Sequence, residues 1–179
     1  MYPLQIIYLF LPAGIANMLP PLAAILLPKF KQPLDFHATF RGKRIFGDHK
    51  TIRGILIGTI FGGLTFFLQV YLFNQYPLVK DFSLIDYAHT SPLFGFSLAF
   101  GSLIGDAVKS FFKRQFSLPP GTSWFPWDQI DWVIGSLCFA VPFMKVDFTL
   151  FASFIVTGLL LHLFIKLIGF LIKINETVI

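Results

Sequence analysis

The stretch GILIGTIFGGLTFFLQVYLF, residues 54–73, holds no charged side chain. As a helix it rises about 30 Å, the thickness of the hydrocarbon core of a bilayer. Gly54, Gly58 and Gly62 recur every fourth residue within it. They therefore share one helical face and leave room for a second helix to come close. The segment reads as a membrane span, and its glycines read as packing positions.

Four further apolar segments, at about 4–27, 92–112, 130–144 and 148–172, extend that reading to the whole chain. Of its 179 residues 55% are hydrophobic and only 13% charged, with a mean hydropathy of +0.73. A soluble domain of this length could not hide so much apolar surface in one core, whereas a bilayer removes the need. The expectation is an all-α, polytopic membrane protein of about five transmembrane helices, forming a single domain over 1–179. The many phenylalanines read as lipid-facing bulk. The single Cys138 lies in an apolar run and reads as an inert buried thiol, with no disulfide framework and no cysteine metal site. The apolar N-terminus lacks a basic n-region and a small-residue cleavage site, so it reads as the first span rather than a removable signal. That span contains Pro12, Asn17, Pro20 and Pro21. Proline breaks or kinks a helix, and a broken helix at membrane depth belongs against protein or a cavity.

Charge sets the expected orientation. Lys29, Lys31, Arg41, Lys43, Arg44, Lys50 and Arg53 lie in or beside the first connecting loop. Lys109, Lys113 and Arg114 border the loop after the third span, and Lys166 and Lys173 lie near the C-terminus. Lys80 and Lys145 alone fall on the other side. The positive-inside rule then puts the N-terminus outside, and both rich loops and the C-terminus in the cytosol of a cell (cytoplasmic) membrane. No basic run interleaved with aromatics points to nucleic acid.

The chemistry-bearing residues gather on that cytosolic side. Asp106 lies near the end of the third span, and a carboxylate near membrane depth is costly and usually functional. Asp106, Lys109 and Lys113 share one helical face. A collar of snorkelling side chains with a local ion pair is the plain alternative. Asp128 and Asp131, three apart at the entry to the fourth span, add two carboxylates. Capping of helix N–H groups would account for Asp128 but less well for Asp131. If the third and fourth spans are neighbours, Asp106, Asp128 and Asp131 meet, and three carboxylates beside basic groups suit Mg²⁺ with a polyphosphate. The linking loop, LPPGTSWFPW at 118–127, is stiffened by Pro119, Pro120 and Gly121. Trp124 and Trp127 suit anchoring at the membrane interface, and could instead border a base or a lipid glycerol.

The first loop, TFRGKRIFGDHKTIRG at 39–54, mixes basic residues with glycines. Glycines permit turns that present backbone N–H groups, and Arg41, Lys43, Arg44, Lys50 and Arg53 supply positive charge. That combination suits phosphate gripping, although no Walker A sequence is present. A polybasic patch on anionic lipid is the alternative, and Asp48, His49 and Thr51 argue mildly against it. His162 and Lys166, four apart in the last span, read as structural or snorkelling, and His37 and His49 lack metal-ligand spacing.

The motif Gly105-Asp106-x-x-x-Ser110-x-x-Lys113-Arg114, followed by Asp128-Gln129-Ile130-Asp131, resembles the signature of CTP-dependent lipid cytidylyltransferases. Pro12-Ala13-Gly14-Ile15-Ala16-Asn17-Met18-Leu19-Pro20, the loop from Pro33 to Gly54, and the segment from Pro120 to Asp131 resemble three motifs of the CDP-archaeol synthase family in the same order. Gln129 stands where the wider CDP-diacylglycerol synthases carry arginine, and their H-G-G element is absent, which favours the archaeol-type branch. The resemblance implies a nucleotidyltransferase that converts CTP and a lipid phosphate, archaetidic acid-like or phosphatidic acid-like, to CDP-lipid and pyrophosphate with Mg²⁺. It implies Asp106, Asp128 and Asp131 as metal-binding and catalytic residues, with Lys113 and Arg114. It places Asn17, Arg41, Lys43, Arg44, Asp48, Lys50, Thr51, Arg53, Lys109 and Ser110 among the substrate-binding residues. Expected partners are CTP, a lipid phosphate, the bilayer and, as a homodimer, a second copy. Two other classes remain open on the residues alone. A small transporter would carry polar residues through the whole depth, and a scaffold binding anionic lipid would use the basic residues but not the aspartates.

Overall fold

The computed structural model describes residues 3–119 and 121–171. Pro120, Lys173 and the expected end of the last span at Ile172 lie outside the described residues. The chain forms α1 (Pro3–Leu9), α2 (Leu11–Leu26), β1 (Thr39–Phe40), β2 (Lys43–Arg44), α3 (Ile52–Gln75), α4 (Pro77–Phe82), α5 (Leu93–Gln115), α6 (Trp127–Ala140) and α7 (Phe148–Leu171). Among the described residues two helices, α3 and α7, are long and apolar enough to cross a membrane on their own. The bent pair α1–α2 is apolar and long enough only when taken together, as one broken span or as a re-entrant loop.

The break in that first span falls between Tyr8 and Pro12, in the turn that a proline at 12 disrupts, in keeping with the proline reading. The axis turns by 58° between α1 and α2, at Phe10, ahead of all three prolines. Pro12 occupies the first turn of α2, where a missing N–H removes no helical hydrogen bond. Pro20 and Pro21 lie inside α2 and leave the carbonyls of Ala16 and Asn17 without helical donors.

Glycine contacts set the order of the helices. A Cβ on Gly58 would stand 2.7 Å from the Ala16 carbonyl oxygen, and one on Gly62 would stand 2.4 Å from Ala99 Cβ. The backbones of α2, α3 and α5 therefore approach where only glycine fits, as the four-residue spacing implied. Ser102 Oγ donates to the Ala13 carbonyl at 3.1 Å and ties α5 to α2. Gly105 packs on the Asp131 carbonyl, and Gly135 on that of Gly101, which presses α6 against α5. Gly158 of α7 packs on Val133 and Trp132. From these pairings, and from the short connection 141–147 that returns the chain from α6 to α7, α2, α5 and α7 run one way, and α3 and α6 the other. The opposite face of α3 carries exposed Leu56, Ile60, Leu64 and Tyr71, an apolar surface turned outward.

Other expectations also change. The phenylalanines divide: Phe10, Phe66, Phe73, Phe94 and Phe154 form much of the buried core, while Phe61, Phe67, Phe151 and Phe164 are exposed. Cys138 is exposed, not buried, because α6 turns it outward from the core face that carries Val133, Ser136 and Leu137. The first loop holds a two-stranded hairpin in which Thr39 pairs with Arg44 and Phe40 with Lys43. Its tip, Arg41 and Gly42, has positive φ at both residues, the backbone that a two-residue hairpin needs.

Candidate active site

Helix α6 begins at Trp127, three residues earlier than the apolar run suggests, so both Asp128 and Asp131 are helical. The close α5–α6 approach at Gly105 then brings them to Asp106. Lys109 Nζ sits among all three carboxylates, 2.9 Å from Asp106, 3.2 Å from Asp128 and 2.7 Å from Asp131. Lys113 Nζ reaches both Asp128 oxygens at 3.0 Å and donates to the Thr122 carbonyl at 2.6 Å. Lys50 arrives from the first loop and pairs with Asp106. Three carboxylates are thus balanced by three ammoniums. Asp128 does not cap α6. Its Oδ2 instead accepts from the Trp124 N–H at 2.6 Å and holds the linking loop.

The first loop folds over the same end. Lys43 Nζ donates to the Gln115 carbonyl at the end of α5, and Phe40 stacks near Phe111 at 5.9 Å. Its organiser is Asp35, which reading the sequence did not single out. Asp35 is buried and accepts from Arg44 Nε and a terminal guanidinium nitrogen, and from the N–H groups of His37, Phe46 and Gly47. Burial opposes its ionisation, but the Arg44 guanidinium and those N–H donors outweigh it and hold the carboxyl well below the usual carboxylate range. The available signal was an acid standing alone between basic residues, nine positions before Arg44.

The remaining expected residues separate into groups. Arg44 bridges Asp35 and Asp48, both at 2.8 Å. Thr51 caps α3 through Gly54 N–H, Arg53 donates to the Leu27 carbonyl, and Ser110 Oγ turns back to the Asp106 carbonyl. These four have partners inside the fold. Arg41 is exposed over the Phe40 ring. Arg114 is half-buried beneath Gly47. Asn17 lies one turn beyond Ala13, and Asp106 one turn beyond Ser102. The Ser102–Ala13 bond therefore sets Asn17 at the level of Asp106.

Between α5 and α6 lies a cavity of about 580 Å³, walled by Ile104, Val108, Phe112, Ile134 and Cys138. Lys109 and Asp131 border it at the charged end, and Trp124 and Trp127 also line it. An apolar groove thus opens against the ion cluster. Among the described residues no three His, Cys, Asp or Glu side chains already form a metal cage. The donor chemistry nevertheless fits a hard divalent cation. Oxygens of three carboxylates converge on one positive centre, and the buried Asp131 Oδ2 has the Lys109 charge beside it but no hydrogen bond.

The family model described as CarS-like, CDP-archaeol synthase, matches residues 1–179. The chain belongs to the CDP-archaeol synthase family. Relatives named CDP-archaeol synthase include one from Methanococcoides burtonii, 35% identical over 81% of this chain and 89% of its own length. Another, from Pyrococcus furiosus, is 38% identical over 79% of this chain and 78% of the relative. One from Pyrobaculum islandicum is 30% identical over 97% and 98%. A solved structure, described as an intramembrane enzyme for archaeal membrane lipid biosynthesis, superposes with a TM-score of 0.71 at 28% identity. That match covers 90% of this chain and 92% of the other. The chain is therefore an integral membrane enzyme, a nucleotidyltransferase of the lipid cytidylyltransferase kind.

Proposed function

We propose that the enzyme joins CTP to an archaetidic acid-like ether lipid phosphate at the end of α5 and α6, releasing pyrophosphate. The observation that carries this reading is the convergence of Asp106, Asp128 and Asp131 on Lys109 at the end of an apolar groove. The groove suits the hydrocarbon tails, and the ion cluster suits the phosphates. In this reading five spans cross the cytoplasmic membrane, formed by α1–α2, α3, α5, α6 and α7. The charged end faces the cytosol, where CTP arrives, in keeping with its excess of lysine and arginine.

The lipid phosphate oxygen attacks the α-phosphorus of CTP, and the bond to the pyrophosphate oxygen breaks. No covalent enzyme intermediate is needed, so positioning and charge neutralisation carry the catalysis. Before substrate binds, each lysine neutralises a carboxylate. Substrate phosphates exchange that pairing: Lys50, Lys109 and Lys113 turn to phosphate oxygens, and the carboxylates are freed. Asp106, Asp128 and Asp131 would hold Mg²⁺, which supplies Lewis-acid charge to phosphate oxygens. Asp35 keeps the first loop folded over the site, with Lys43 pinned to α5 and Lys50 aimed at Asp106.

The test incubates purified enzyme with CTP, Mg²⁺ and a panel of ether- and ester-linked lipid phosphates, and scores CDP-lipid. Product is expected with the ether substrate, and loss of product in Asp106→Asn while the helical fold is retained. Absence of product with every lipid would overturn the reading.

A further inference from the structure

Helix α7 is apolar along most of its length, and its few polar side chains ask for an explanation. Ser153 Oγ donates to the Thr149 carbonyl of its own helix. His162 has no such use: its Nε2 is buried and has no hydrogen-bond partner. An unpartnered imidazole nitrogen inside a membrane helix is costly and marks a functional position whose partner must be found.

The packing of α7 says where that nitrogen lies. Gly158 comes so close to α6 that a Cβ there would stand 2.4 Å from Val133 Cγ2. One turn toward the charged end leads from Gly158 to His162, and along the antiparallel α6 from Val133 and Trp132 to Gln129 and Asp128. In that register Asp128, with Lys109 3.2 Å from it, stands at the level of His162, and Lys166 lies one turn further along α7. At the same level Gln129 is fully buried, and neither atom of its carboxamide has a partner. The side of the ion cluster facing α7 is therefore lined by polar atoms that the folded chain leaves unused.

We infer that His162 is a further substrate-contacting residue, its ring N–H donating to a phosphoryl oxygen held at the Lys109–Asp128 cluster. This inference rests on the cytidylyltransferase reading above. The contact is a hydrogen bond, with no proton transferred and no bond formed to the ring. It makes α7 part of the site rather than a membrane anchor alone. Its chemistry would serve a phosphate of CTP or the phosphate of the lipid equally well, and the two sources are separable by kinetics.

The experiment compares wild type, His162→Ala, His162→Gln and His162→Phe for CDP-lipid formation, varying CTP and lipid phosphate in turn. Ser153→Ala serves as a control, since its hydroxyl is satisfied within α7. His162→Ala should raise one KM by about tenfold, the size expected for one lost hydrogen bond to a charged group. His162→Gln, which keeps a donor, should recover most of the loss, and His162→Phe, which keeps ring shape only, should not. A rise in KM for CTP assigns the contact to the nucleotide, and a rise for the lipid assigns it to the headgroup. Recovery by phenylalanine, or an unchanged KM for both substrates in His162→Ala, would overturn the inference. Inactive wild type would instead overturn the cytidylyltransferase reading itself.

Discussion

The two ends of the helix bundle are built from different materials. At one end α5, α6 and the first loop bring Asp106, Asp128 and Asp131 together with Lys50, Lys109 and Lys113. At the other, Tyr8, Phe66 and Phe73 pack around Tyr87, which is 1% exposed, and Phe82 packs on Tyr8. The ion pair recorded there, His89 with Asp86, lies at the surface. The aromatic end closes the bundle by shape and apolar burial. The charged end offsets its buried ions with partners that, in the function proposed above, phosphates and a cation replace. Glycine lets both coexist, because helices in backbone contact hold the ionic end together with little apolar filling around it.

The sharpest way to break that contrast is to remove the central ammonium. Lys109→Met leaves three carboxylates facing one another without their common partner. Turnover should fall by about a hundredfold or more, as for loss of a charge-stabilising group, measured as CDP-lipid formed per enzyme. Next comes Gly105→Ala, whose added Cβ would meet the Asp131 carbonyl at 2.2 Å. Separation of α5 from α6 should lower the unfolding temperature by several degrees, on the order of 1–3 kcal/mol of overpacking, and activity should fall with it.

A smaller effect is expected at the loop clamp. Asp35→Asn removes the charge that holds Arg44, and the KM for CTP should rise about tenfold. The pH behaviour follows from the depressed Asp35 carboxyl. Its stabilising effect is fully present above the ordinary aspartate value of about 3.9 and is lost only as pH falls toward its own lower value. Trypsin cleavage within residues 29–53, taken relative to cleavage of an unstructured control peptide at each pH, should therefore be slow and nearly constant in the wild type between about pH 6 and about pH 8. In Asp35→Asn it should be faster throughout. The smallest effect belongs to the aromatic end: Tyr87→Phe should leave turnover within about twofold, since it touches no reacting group.

How legible this was from residues alone varied with the range of the interaction. The four-residue glycine spacing in α3 and the common face of Asp106, Lys109 and Lys113 are helical periodicity, and both stood in the sequence. The meeting of Asp106 with Asp128 and Asp131 depended on which helices are neighbours. Motif order made that reasonable, but the Gly105 contact is what achieves it. Other features lay beyond local pattern. Phe66 and Phe67 are adjacent and equally apolar, yet one is buried and the other exposed, because apolarity does not distinguish a protein neighbour from lipid. Cys138 points outward for the same reason. The hinge at Phe10 was legible as the turn before Pro12, but its 58° angle was not, because tertiary packing sets how far a broken helix bends. Asp35 was hidden because its partners are backbone N–H groups, which no residue type announces.

The central claim is that three aspartates from α5 and α6 form one cation site that fills when nucleotide binds. Mn²⁺ titration followed by electron paramagnetic resonance, with and without CTP, tests it most directly. The expected result is a bound Mn²⁺ in the wild type with CTP, lost in both Asp106→Asn and Asp128→Asn while the helical fold is retained. Binding of Mn²⁺ by both variants as tightly as by the wild type would contradict it.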